Sequence, residues 1–343
     1  MHSITFPSSP QRLLRLPVSR FRYVDPDQPA ARHLMAGLSR IPAATFAKRV
    51  RKPPARKVIM KNASLLILVS GSAKAEDLDP ILQSADAERM HLSFLVLGGL
   101  PRTPIYSYGT EAYGIPMIPD IWQEEIETAT AGLTETAKMI EARLDASGAT
   151  GDVDTLACDL AALPTIVGQR AATCDAVVIS NDLRGNDSLF RNAVQGVLFQ
   201  SPSGVILNAT RAASALQPTR IFIAWDTGLP AARAVHAALP LLKEASHVTI
   251  AVFDPVTSQD RYGENPGSDV ARWLSHHGCH VDLQQYPSGG EEIGTCIQKR
   301  ATETGADLIV MGAYGHSRMR QAVFGGTTKS MVEQTDRPVM LAH

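Results

Sequence analysis

Asp307-Leu-Ile-Val-Met311-Gly312-Ala-Tyr314-Gly315, then nine residues, then Gly325-Gly326-Thr327-Thr328: the reading of this stretch decides the fold. An apolar run of strand length ends at Met311, and a segment of helical pattern starts at Thr327. Between them the glycines let the backbone approach a phosphate without Cβ interference. A helix N-terminus offers unpaired N–H groups and the positive end of a dipole. Thr327 or Thr328 can cap that helix and offer a hydroxyl to a phosphate oxygen. The ligand-free alternative is a tight turn with close helix–sheet packing. The strand–loop–helix context favours a phosphate-cradling loop.

Working outward, strands and helices alternate. The second half predicts strands over 219–225, 247–253, 281–286, 307–311 and 338–341. It predicts helices over 230–245, 268–277, 291–304 and 327–334. The first half predicts strands over 64–69, 92–97, 176–180 and 204–207, with helices over 78–90 and 123–147. Residues 100–120 read as a loop that contains Tyr106, Tyr108 and Tyr113. Fully apolar runs such as Ser64-Leu-Leu-Ile-Leu-Val69 suit strands covered on both faces. Such alternation implies an α/β fold with a parallel sheet and right-handed crossovers. Ligands of these sheets bind beyond the carboxyl ends of the strands, where strand order reverses.

The halves also match as sequence. Cys174-Asp-Ala-Val-Val-Ile-Ser180 aligns with Ala306-Asp-Leu-Ile-Val-Met-Gly312, and Ser188–Val194 with Ser317–Val323. A repeat of this length implies two copies of one domain. The expected organisation is a basic extension over 1–62, one copy over 63–210 and another over 217–343. At the other strand ends of the second copy stand Ala224 and Asp226, and then Val252. An aspartate there can accept from an adenine or ribose donor, and a valine can pack the base. In the first copy Ser70 takes the place of Asp226, Ser180-Asn-Asp-Leu183 replaces Gly-Ala-Tyr-Gly, and the Gly-Gly-Thr-Thr loop has no counterpart. A carboxylate at Asp182 would repel phosphate, so no nucleotide is expected in that half.

The run Gly312-Ala-Tyr-Gly-His-Ser-Arg-Met-Arg-Gln-Ala-Val-Phe-Gly-Gly-Thr-Thr328, with Trp225-Asp226 and the closing Arg337-Pro-Val-Met-Leu341, resembles the C-terminal motif of the universal stress protein family. The resemblance covers 217–343, and 63–210 resembles a diverged second copy, so the whole resembles a tandem member. It implies two Rossmann-like domains of the adenine nucleotide alpha hydrolase type, each a five-stranded parallel sheet flanked by helices. It also implies ATP, with or without Mg²⁺, as the cofactor of the second domain. By motif position, Ala224, Asp226 and Val252 would hold the adenine, and Met311 and Gly312 would lie along the ribose. Tyr314 and Gly315 would reach toward the phosphates, and Gly325, Gly326, Thr327 and Thr328 would form the phosphate loop. Gly326 departs from the family pattern, which has Ser or Thr there, so one hydroxyl contact is absent. The resemblance further implies pairing through the closing strand, here an intramolecular pseudo-dimer of the two copies, with a homodimer of chains left open.

Composition bounds the rest. With 44% hydrophobic and 20% charged residues, a globular chain is expected. No apolar run is long enough to span a membrane. Cys158, Cys174, Cys279 and Cys296 form no CxxC pair and read as reduced thiols of a cytoplasmic protein. Residues 1–62 hold 13 Lys and Arg against two Asp and Glu, a net +11, while the rest of the chain carries −12. That proline-rich segment is expected to be disordered. Three readings stand open: an arm for anionic partners, a targeting peptide that lacks an apolar h-region, or a non-native start before Met60. No specific nucleic-acid partner is expected. His276-His277-Gly-Cys279-His280 fits no zinc spacing. His316-Ser317 has no third orienting group, and Arg318 and Arg320 read equally as phosphate neutralisers or a solvated face. The functional expectation is a nucleotide-binding stress or signalling module, with a ligand-free scaffold or a slow ATPase as alternatives. No base that orients water and no Mg²⁺ carboxylate pair is visible.

Overall fold

The computed structural model describes residues 63–84, 90–101, 120–209, 215–255, 266–314 and 326–343, all within the compact unit Arg56–His343. The first half comprises β1 (Ala63–Ser70), α1 (Ala75–Ser84), β2 (Met90–Gly99), α2 (Asp120–Ser147), β3 (Thr150–Cys158), α3 (Leu163–Ala171), β4 (Ala176–Ile179), α4 (Asp187–Gln200) and β5 (Gly204–Leu207). A short 3-10 turn, Asn181–Gly185, joins β4 to α4. The second half comprises β6 (Arg220–Ala224), α5 (Leu229–Glu244), β7 (His247–Phe253), α6 (Ser268–His276), β8 (Val281–Tyr286), α7 (Ile293–Glu303), β9 (Leu308–Gly312), α8 (Gly326–Glu333) and β10 (Val339–Ala342).

Among the described residues these strands form one ten-stranded sheet, ordered β3-β2-β1-β4-β5-β10-β9-β6-β7-β8. Each half is a parallel five-stranded sheet of the same order. The expected pair of sheets is therefore fused into one, and the seam is the antiparallel pairing of β5 with β10, with Ile206 opposite Met340. Closure this way pairs two edges that would otherwise be open. Helices cover both faces. Leu65, Ile67 and Val69 of β1 face the layer of α1, α2, α5 and α6. Leu66 and Leu68 face the layer of α3, α4, α7 and α8. Burial on both sides is why β1 is apolar at every position from Leu65 to Val69 and not at alternate ones. Both cores run across the seam: Ile206, Ile221 and Met340 share one, and Val205, Leu207, Val339 and Leu341 share the other.

The structure departs from the expected elements in the first half. Helix α1 ends its described part at Ser84, and Met90, expected in that helix, opens β2. Strand β3 and helices α3 and α4, implied in number by the resemblance, were not located by any local pattern. Strand β3 lies at the sheet's edge with most of its residues exposed, so it lacks an apolar run. Pro164 and Gly168 interrupt the helical pattern of α3. Tyr106, Tyr108 and Tyr113 lie outside the described residues. All four cysteines are free, and burial pushes the Cys158, Cys174 and Cys279 thiols up from their ordinary value. Among the described residues no helix is long and apolar enough to cross a membrane, and no cluster of His, Cys, Asp and Glu could hold a metal ion.

Candidate functional site

In the second half strand order reverses between β6 and β9, which run side by side with Ala224 opposite Met311. Strand β7 continues the row on the other side of β6, with Ala251 opposite Ala224. Ala224, Met311 and Val252 therefore stand together at three neighbouring carboxyl ends, and all three are buried. Because α5 follows β6 and α8 follows β9, both helices begin at this same end of the sheet. They belong to opposite layers, α5 with one core and α8 with the other.

Asp226 follows Trp225, whose N–H donates to Ala251 O at 2.9 Å and so extends β6 by one residue. Its side chain is exposed. Oδ1 accepts from the Gly228 N–H at 2.8 Å, and Thr227 between them has a left-handed φ of 63°. This Asx turn aims the chain into α5, which starts at Leu229 with Gly228 as its N-cap. Asp226 is thus two residues before the cap. Oδ2 has no hydrogen-bond partner among the described residues and can accept from a ligand.

Gly312 ends β9 beneath the first turn of α5. A Cβ there would lie 2.4 Å from the Ala231 nitrogen and 2.7 Å from the Pro230 carbonyl carbon. Those are backbone atoms, so the glycine is required for close helix–strand packing whatever ligand is present. Beyond it Ala313 N–H still bonds Ala342 O at 2.8 Å. Tyr314 then adopts a left-handed φ of 58°. Its N–H donates to Thr328 Oγ1 at 3.2 Å, which ties the end of β9 to the first turn of α8. The buried Thr328 hydroxyl accepts that bond and keeps its own O–H to donate. The Tyr314 ring turns to the first half: its centroid lies 4.9 Å from that of Phe199 in α4 and 6.2 Å from that of His343. Burial pushes its phenol pKa up to about 12, partly opposed by the Arg191 charge.

Gly326 opens α8 and is exposed, and Thr327 is half-buried. A Cβ on Gly326 would meet Glu292 Oε1 at 3.5 Å, an ordinary contact, so a side chain fits here. An exposed carboxylate therefore stands beside the helix start, where it would oppose a phosphate. Gly315 and Gly325, with His316, Ser317, Arg318 and Arg320, lie outside the described residues. Phe199, Glu292 and His343 were missed in the sequence. Phe199 comes from the other half, and neither Glu292 nor His343 belongs to a spaced motif. His276 and His277 are at the far end of α6 and His280 just before β8, and the Trp273 ring contacts His236 at a tilt and His277 edge-on.

The corresponding end of the first half is filled. Asp182 Oδ2 accepts from the Ser70 N–H at 2.6 Å, across the β1–β4 switch point. Leu133 of α2 packs so tightly on the ends of β1 and β2 that a Cβ on Gly71 would meet it at 2.5 Å and one on Gly98 at 3.0 Å. Thr136 Oγ1 donates to Gly71 O at 2.7 Å.

The model of the Universal stress protein family matches residues 289–343, from before α7 through α8 to the end of β10. Among solved structures, a universal stress protein from Archaeoglobus fulgidus is similar at 16% identity and a TM-score of 0.54, covering 83% of this chain and 97% of its own. The universal stress protein UspA from Lactobacillus plantarum covers 36% of this chain and 97% of its own, at 16% identity and a TM-score of 0.29. No curated protein matches the chain. The family match falls on the segment that carries β9 and α8, so residues 289–343 are similar to the universal stress protein family, and the α/β fold shared with the Archaeoglobus fulgidus structure extends over most of the chain.

Proposed function

We propose that this chain is a tandem universal stress protein whose second copy, 217–343, binds ATP and acts as a stress-response or signalling module. The observation that carries this reading is the convergence at one switch point of Asp226, with an uncommitted Oδ2, and the start of α8. Asp226 accepts from the adenine or ribose, while Ala224, Met311 and Val252 pack the flat faces of the nucleoside. The N–H groups of Gly326 and Thr327 point to the phosphates along the helix dipole, and the Thr328 hydroxyl donates from behind. Bound ATP supplies no chemistry of its own here. The residues hold it, and Mg²⁺ can accompany it without a dedicated carboxylate pair. The first copy, 63–210, takes no nucleotide, because Leu133 and Asp182 occupy the equivalent crevice. The pairing of β5 with β10 makes the two copies an intramolecular pseudo-dimer, and the free thiols suit a reducing, cytoplasmic setting.

A second reading, a ligand-free scaffold, is favoured by Glu292 beside Gly326 and by the missing hydroxyl at that position. Titration calorimetry of the full chain with ATP, followed by turnover assays over hours, separates the readings. One ATP per chain, lost on Asp226→Ala and hydrolysed at no more than a trace rate, is expected. No heat at millimolar ATP favours the scaffold, two sites per chain overturns the proposed asymmetry, and rapid turnover makes the protein an enzyme.

A further inference from the structure

The helix that starts at the proposed phosphate site is short, and its far end is held by the other half of the molecule. Helix α8 has eight residues, Gly326–Glu333, and no Lys or Arg in its last turn. A helix of two turns is marginal on its own, and its C-terminal carbonyls need donors and a positive charge. Both come from the first half. Arg184, in the 3-10 turn after β4, places Nη2 at 2.9 Å from Val332 O, 3.3 Å from Gln334 O and 3.0 Å from Asn208 Oδ1. Asn208, after β5, donates from Nδ2 to Gln334 O at 2.9 Å and to Arg337 O at 3.1 Å. Asn208 is fully buried with a left-handed φ of 62°, and the Arg184 guanidinium lies 4.4 Å over the Phe190 ring. The group that donates to the α8 carbonyls is therefore itself held in place.

The junction is similar in position on its two sides and different in chemistry. Where Asn208 follows β5, His343 follows β10. Its Nδ1 lies 2.9 Å from Ala313 O in its own half, and its ring packs on Phe199 at 4.8 Å. The polar grip runs from the first half to the second.

We infer that Arg184 is a positioning residue: the first half grips the far end of α8 and thereby sets the phosphate affinity of a site on the second half. This rests on the nucleotide reading above. The link is mechanical and short. Arg184 fixes the last turn of α8, and Thr328 in the first turn holds the Tyr314 N–H, so both ends of the helix that presents the Gly326 and Thr327 N–H groups are tied down. Loss of the grip lets α8 fray and withdraws its aligned N–H groups from the anion. The nucleoside end, held by Asp226 and the ends of β6 and β7, is left as it was. The first copy, without nucleotide, thus serves as a brace.

The test uses the full chain as wild type, Arg184→Ala and Arg184→Lys, each titrated with ATP and with adenosine. The expected result for Arg184→Ala is unchanged adenosine affinity with ATP affinity lower by about fivefold to thirtyfold. Arg184→Lys recovers part of the loss, because the ammonium restores charge without the guanidinium fork. Amide exchange read on the ligand-free proteins should be faster at Tyr314 and along α8 in Arg184→Ala. Equal loss of ATP and adenosine, or loss of neither, overturns the inference. Should wild type bind neither ligand, the nucleotide reading falls, and exchange alone decides the brace: unchanged protection at Tyr314 and α8 overturns it. If Arg184→Ala does not fold, Arg184→Gln, which keeps a donor without charge, takes its place with the same outcomes.

Discussion

Two glycines that look alike in the sequence carry different constraints. Gly312 lies under α5 backbone, with Ala231 N 2.4 Å from where a Cβ would be. Gly312→Ala should lower stability by about 1–3 kcal/mol by overpacking, read from the urea midpoint; an unchanged midpoint would refute the packing role. Gly326 has room, since its Cβ position is 3.5 Å from Glu292 Oε1. Gly326→Ser restores the family hydroxyl and should tighten ATP up to about tenfold, with the melting temperature nearly constant. Calorimetry that shows weaker binding would mean the phosphates lie elsewhere. Tyr314 carries a pH signature. Its folded pKa of about 12 stands above the ordinary 10. The contribution is therefore complete below pH 10 and is lost as pH rises through 12, about 1 kcal/mol after discount for the half-exposed ring. Tyr314→Phe should flatten that alkaline limb of the stability profile.

At the scale of elements, legibility followed burial. Strands β1, β4, β6, β7 and β9 are covered on both faces, so their apolar runs announce them. Strand β3 is an edge with Asp152 and Asp154 outward. These pair with His91 and Arg170, and such charged edges carry no hydrophobic period. Helix α2 shows how an element decides a site. Leu133 fills the space above Gly71 and Gly98, which no local pattern reveals because it depends on where a 28-residue helix lands. Leu133→Ala should cost about 2–5 kcal/mol in chemical denaturation. ATP stoichiometry should stay at one per chain, because Asp182 still occupies the Ser70 N–H. A second ATP bound by this variant would show that Leu133 alone closes the first crevice.

At the scale of the molecule, the seam makes one body of two copies. Val205, Ile206, Leu207, Val339, Met340 and Leu341 are all fully buried, and both core layers pass through them. The described body should therefore melt in a single calorimetric transition, with the calorimetric and van't Hoff enthalpies equal. Two resolved transitions would show that the halves unfold independently.

By itself the sequence determined the alternation of strands and helices, the internal repeat, the positions of Asp226, Met311 and Thr328 at strand and helix ends, and the difference between the two copies. Those properties are local: periodicity, turn residues and spacing are written along the chain. The pairing of the two copies through the closing strand was implied by the resemblance, but the tertiary structure alone decided that it fuses both sheets into one by antiparallel pairing of β5 with β10, that Leu133 and Asp182 close the first crevice, and that Arg184 grips α8. Each joins residues far apart in the chain. Arg184 and Val332 are separated by 148 positions, and a contact at that range leaves no mark on the periodicity of either segment.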